Sequence, residues 1–105
     1  MTTTAQPVTA SFGQQEINDG VREIVMAALS VDKAEYNPAS SFIDLGASSM
    51  TVGGGKGEPT DAVDIRMRAN AMFGVEVTEL NLRWSPEQLG LTVAGLLKAT
   101  SRFRT

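Results

Sequence analysis

Apolar residues at steps of three and four mark separate stretches of this chain, and only "VEV" at 75–77 offers the alternation of a strand. Between Ser11 and Ser30 the residues Ile17, Val21, Ile24, Val25, Ala28 and Leu29 form one helical stripe facing a core. Ser11 and Gln14 have the spacing of a capping box, with the start of the helix placed nearer Gln14. Gly20 lies inside the stripe and weakens it by about 1 kcal/mol relative to alanine. A second stripe, Ala62, Ile65, Ala69, Met72 and Phe73, predicts a helix from Asp61 to Phe73 that stops at Gly74. Thr60 or Asp61 would cap it, and Asp61 and Asp64 suit the positive end of its dipole. "SPEQL" is a helix start with Ser85 as cap, Pro86 in the first turn and Gln88 closing the box. Gly90 makes that helix a short one, and a last helix from Thr92 to about Ser101 buries Val93, Leu96 and Leu97. Residues 30–48 carry no period, so they form a long loop that tucks Val31, Tyr36, Phe42, Ile43 and Leu45 against the helices. The expected architecture is an all-α four-helix bundle, three longer helices and one short, with the long loop between the first two.

At 105 residues such a bundle has one core and no room for a second. The chain contains neither cysteine nor histidine. Disulfides, thiolate nucleophiles, Cys/His zinc sites and Ser-His catalysis are thereby excluded, and any sulfur chemistry must arrive on a cofactor. Up to Asp64, nine acids against three bases leave a net charge of −6; beyond it, three acids against six bases give +3. This balance argues against nucleic acid and leaves an acidic face for a basic protein partner, or simply segregated solvated faces. No apolar run reaches the roughly 20 residues that span a bilayer. Residues 1–13, without a basic residue or an apolar block, read as a disordered leader, 14–101 as the domain and 102–105 as a tail. The cytoplasm is the default compartment.

The stretch "FIDLGASSM", residues 42–50, closes the long loop, and "TVGGGKGEPT", residues 51–60, follows it. In its place before the second helix, "FIDLGASSM" resembles the phosphopantetheine attachment motif of acyl and peptidyl carrier proteins. Asp44, Leu45, Gly46 and Ala47 match its first four positions, Ser48 the polar position, Ser49 the serine that bears the arm, and Met50 the leucine. "DAVDIRMRANAMFGVEV" is similar to the family's second helix and "LTVAGLLKA" to its last, so the resemblance covers roughly residues 14–100. It implies a freestanding, monomeric carrier that catalyses nothing itself. A phosphopantetheinyl transferase would attach 4′-phosphopantetheine from coenzyme A to Ser49. The arm would then shuttle an acyl or aminoacyl thioester between loading, condensing and tailoring enzymes, in fatty-acid, polyketide or nonribosomal peptide synthesis. The glycine suits a sharp turn, and a phosphodiester near a helix start is favoured by free N–H groups and the dipole.

Two departures stand out. Many family members have Asp where this chain has Ser48. Some ten residues, "TVGGGKGEPT", stand between the serine and the helix that usually follows it directly, and extra residues around "TELNLRW" lengthen the next connection. The departures point to specialised metabolism with a dedicated partner set. The insertion is expected to be a surface loop, mobile over 52–58, that separates Ser49 from the helix dipole. Its "GGGKG" lacks P-loop spacing and follows no strand, so an enzyme binding nucleotide phosphate is the weakest reading. An unmodified carrier-like domain serving as an interaction or scaffold module is the main alternative. Met26, Met50, Met67 and Met72 read as core filling rather than an acyl pocket, and Trp84 as a staple against Leu89. Arg66 and Arg68 interrupt an otherwise acidic second helix, either solvated or marking the partner set.

Overall fold

A computed structural model of the chain describes residues 10–51 and 57–105. In chain order these form β1 (Phe12–Gly13), α1 (Gln14–Leu29), α2 (Thr60–Phe73), α3 (Pro86–Ala99) and β2 (Phe103–Arg104). The fold is all-α, with α1 packed against both other helices and a two-residue ribbon where the strands meet. The described residues contain three helices, where the sequence suggests four. "SPEQL" and the segment after it are one helix, and Gly90 lies inside it rather than ending it. The reason is tertiary: a Cβ on Gly90 would stand 3.0 Å from Asn18 Oδ1 and 3.9 Å from Ile17 Cγ2, so glycine lets α3 approach α1 closely.

Local signals set most helix ends. Ser85 Oγ accepts from the Gln88 amide (3.3 Å) and the Ser85 amide donates to Gln88 Oε1 (2.8 Å), both halves of the capping box. At α1, Gly13 is the cap residue in place of Ser11, and its N–H donates to Glu16 Oε1 (2.9 Å). Gly74 ends α2 with φ +63°, the left-handed conformation that glycine adopts without penalty. "VEV" forms no strand; Asn70 Oδ1 accepts from the Val77 amide at 2.7 Å and holds the segment to α2.

Ile17, Val21, Ile24 and Val25 from α1 meet Ala62, Ile65, Ala69 and Phe73 from α2 and Leu89, Val93 and Leu97 from α3 in one core. Phe42 seals it from the long loop, and Val77, Leu80 and Leu82 from the α2–α3 connection. Met72, placed on the core face by the sequence pattern, is exposed, as are Met50 and Met67; Met26 is partly buried. Trp84, one residue before the α3 cap, packs at the edge of the core that Leu89 enters.

Gly20 is a second close approach. A Cβ there would lie 2.6 Å from Phe73 Cζ and 2.7 Å from Met72 Sδ. Met72 can move, but the Phe73 ring is buried. Gly20→Ala should therefore destabilise the fold by about 1–2 kcal/mol, because overpacking outweighs the helix propensity gained. Urea unfolding checks this; a more stable variant would mean that the helices separate freely.

Tyr36 is the chain's only tyrosine and is half-buried against the core. Burial pushes its phenol from 10.0 up to about 12, with Arg22 opposing the shift. The neutral phenol is thus favoured by folding. That contribution is complete below pH 10 and is lost as pH rises from 10 towards 12. Absorbance titration of the folded protein should read a midpoint near 12, and Tyr36→Phe should remove this part of the alkaline loss of stability.

The segments read as leader and tail join each other. Phe12 pairs in parallel with Phe103 and Gly13 with Arg104, and the Phe12 N–H donates to the Arg102 carbonyl at 2.9 Å. Arg102 is buried, donating to the carbonyls of Ala10 (2.7 Å), Gly74 (2.7 Å) and Phe73 (2.6 Å). Phe12 meets Phe73 edge-on at 5.1 Å, Lys98 stands over the Phe103 ring, and Arg104 pairs with Glu16. Residues 10–13 and 102–104 therefore belong to the folded body. Residues 1–9 of the expected leader lie outside the described residues.

Candidate functional site

The attachment-like stretch is held from below and open above. Phe42 is fully buried and its N–H donates to the Trp84 carbonyl (2.9 Å), while the Ile43 N–H donates to the Leu82 carbonyl (3.1 Å). The connection before α3, through "TELNLRW", is thus the shelf on which the stretch rests. A compact turn follows. Asp44 N–H donates to Ser41 Oγ (3.0 Å), Gly46 N–H to the Ile43 carbonyl (3.0 Å) and Ala47 N–H to the Phe42 carbonyl (2.9 Å). Gly46 takes φ +109° with open space where a Cβ would point, so its role is conformational. Leu45 is half-buried and Ala47 buried, whereas Asp44, Ser48, Ser49 and Met50 face solvent, Met50 being 76% exposed.

The two serines differ. Ser48 is engaged locally: its Oγ accepts from the Met50 amide at 3.1 Å, and its own N–H donates to Asp61 Oδ2 at 2.7 Å. Ser49 is exposed and lines a groove of about 650 Å³. Ile43, Glu58, Leu80, Leu82 and Trp84 form the groove's other walls. The groove is open to solvent and mixes apolar with charged lining.

The serines lie close to the start of α2. The Thr60 N–H donates to the Met50 carbonyl at 3.2 Å, and Asp61 holds the Ser48 amide, so residues 48–50 lie beside the first turn of α2. The expected separation of Ser49 from that helix start is corrected on this point. Pro59, not Thr60 or Asp61, is the cap residue of α2 and has no polar side chain to cap with; Asp61, in the first turn, directs its carboxylate across to Ser48. Of the stretch 52–58 expected to be mobile, residues 52–56 lie outside the described residues, and Glu58 is instead held by Arg66 and the Leu80 amide.

Arg66 is neither solvated nor set out for a partner. Its Nε and Nη2 fork onto the Glu58 carboxylate, at 2.9 Å for the closest approach, and Nη1 donates to the Val77 carbonyl (3.2 Å). Glu58 also accepts from the Leu80 amide (3.2 Å). This node ties Glu58, just before α2, to that helix and to one groove wall, where a bidentate, partly buried pair holds geometry well. Arg68 pairs with Asp64 one turn away at 2.7 Å, on the exposed face. The roles of Glu58, Arg66 and Asp61 were not visible in the sequence; the pairing of an acid with an arginine eight residues on has no helical spacing to betray it.

Among the described residues, no cluster of three or more acidic side chains could hold a metal ion, and no helix is long and apolar enough to cross a membrane.

The acyl carrier protein of Solidesulfovibrio magneticus is 34% identical to this chain over 64 residues, spanning 60% of this chain and 69% of that protein. No protein-family model matches the chain. No solved structure matches it either.

Proposed function

The chain belongs to the acyl carrier protein family, and from that premise we propose that it bears acyl or aminoacyl groups on a 4′-phosphopantetheine arm joined to Ser49. The observation that carries the reading is the contrast between the serines. Ser49 is exposed at the edge of a roomy groove, while the Ser48 hydroxyl oxygen accepts from the Met50 amide within the turn. The residues fit the group: an outward hydroxyl, a turn at Gly46 with open space around it, and a groove beside it. When bound, the arm supplies the thiol that holds cargo as a thioester, which this cysteine-free chain lacks.

The chain's own part is presentation. Ser49 Oγ forms the new bond to phosphorus of coenzyme A, its proton passing to a base of the transferase as the diphosphate P–O bond breaks and the adenosine bisphosphate departs. Asp44 to Ala47 hold the turn that offers this hydroxyl, and Phe42 anchors the turn in the core. The partners are a phosphopantetheinyl transferase and the enzymes that load, extend and modify the cargo. The Ser48 position and the ten-residue insertion fit a carrier of specialised metabolism with dedicated partners, working in the cytoplasm.

Incubation with coenzyme A and a broad-specificity transferase, or with extract of the native host, tests this. Intact mass should rise by one phosphopantetheinyl increment, mapped by fragmentation to Ser49. No increment with either source would favour an unmodified interaction module.

A further inference from the structure

Resting on the reading that Ser49 accepts the arm, we propose that Asp61 is the positioning residue for the Ser49 hydroxyl. The problem it meets is one of chain geometry. Ser49 ends one loop, α2 begins at Thr60, and about ten residues of chain run between them. A hydroxyl on a loop residue, ten residues of chain before the helix, has no inherent reason to keep a fixed orientation.

Asp61 supplies one. Its Oδ2 accepts from the Ser48 N–H at 2.7 Å, across 13 residues of sequence, in a short charge-assisted bond. The Ser48 Oγ then accepts from the Met50 N–H (3.1 Å), and the Met50 carbonyl accepts from the Thr60 N–H (3.2 Å). The residues on both sides of Ser49 are therefore fastened, one to the carboxylate and the other to the backbone of α2. Ser49 stands between two fixed points with its side chain facing solvent. Of these contacts, only the one from Asp61 joins the serine pair to α2 through a side chain, so it is the one a substitution can remove. Asp61 does not touch the reacting hydroxyl; it acts through the Ser48 backbone.

The test compares wild type with Asp61→Ala, Asp61→Asn and Asp61→Glu in transferase reactions with coenzyme A, followed by intact mass. Amide hydrogen exchange at Ser48 is measured without enzyme. Asp61→Ala should lower kcat about tenfold or more, with KM little changed, because the nucleophile is misplaced while the docking surface remains. Asp61→Asn should recover much of the rate, since its amide oxygen still accepts from the Ser48 N–H, and the longer Asp61→Glu should recover less. Ser48 exchange should be protected in wild type and Asp61→Asn and faster in Asp61→Ala, with thermal midpoints close together. Equal rates and equal Ser48 exchange in wild type and Asp61→Ala overturn the proposal. So does a loss in Asp61→Asn as large as in Asp61→Ala, which would make the charge a recognition feature for the transferase. If wild type itself takes no arm, the reading of Ser49 falls. Ser48 exchange then decides separately whether Asp61 holds the serine pair.

Discussion

Ser49→Ala is expected to accept no phosphopantetheine from coenzyme A, while Ser48→Ala remains a substrate. The two serines divide the labour between them. Ser48 Oγ accepts from the Met50 amide, 3.1 Å away, and its backbone N–H donates to Asp61. Alanine at 48 removes the first bond and keeps the second. The turn loosens by about 1 kcal/mol, a typical net hydrogen-bond contribution, and the modification rate should fall by less than tenfold. Alanine at 49 removes the nucleophile outright, and no neighbouring hydroxyl has its position. Time-resolved intact mass separates the two variants. If Ser48→Ala alone abolished the increment, the attachment register would be displaced by one residue, and Asp61 would then hold the amide of the modified serine itself.

The largest expected loss of stability comes from a residue far from the serines along α2. Arg102→Ala should destabilise the fold by about 2–4 kcal/mol. Its guanidinium is buried against three backbone carbonyls, two of them, Phe73 and Gly74, at the C-terminal end of α2, where a positive charge is favoured by the dipole. Truncation leaves those carbonyls short of donors and opens a gap beside Phe73, against which Phe12 also packs. The corresponding fall in thermal midpoint is roughly 10–25 °C for a domain of this size. Arg102→Lys should recover only part of it, since one ammonium cannot span carbonyls from both the N-terminal segment and α2 as a planar fork does. Thermal unfolding by circular dichroism measures both. A midpoint within a few degrees of wild type for Arg102→Ala would mean that the chain ends contribute little to the cooperative core.

Helix positions were largely legible because they rest on local rules. The stripe from Ile17 to Leu29, the Ser85 box and the Gly74 stop each act within a few residues, and each is found where the spacing puts it. What the sequence misplaced depends on distant neighbours. Gly90 looks like a terminator and is instead a point where α3 meets Asn18 of α1. Met72 has the period of a core residue, but its sulfur lies over Gly20 at the rim of the α1–α2 contact, and the residue stays 44% exposed. At the site, the turn from Asp44 to Ala47 follows from glycine and short-range hydrogen bonding, so its form could be read from the residues. Asp61 could not: at the start of a helix an acid reads as a dipole partner, and only the folded chain brings Ser48 to it. The same holds for Arg102, a cation near the chain end whose carbonyl acceptors among the described residues lie 28 to 92 residues away.

The parallel sense of the ribbon has a mechanical consequence. Tension applied to the two ends of the chain would draw β1 backwards and β2 forwards along a common axis. Their hydrogen bonds would then be strained in shear, all at once, rather than peeled one after another as in an antiparallel hairpin pulled from its open end. Arg102, bonded at the same time to Ala10 and to the end of α2, sits across that slip plane like a rivet. The clasp would yield as a unit, and until it did the turn bearing Ser49 would be shielded from the pull.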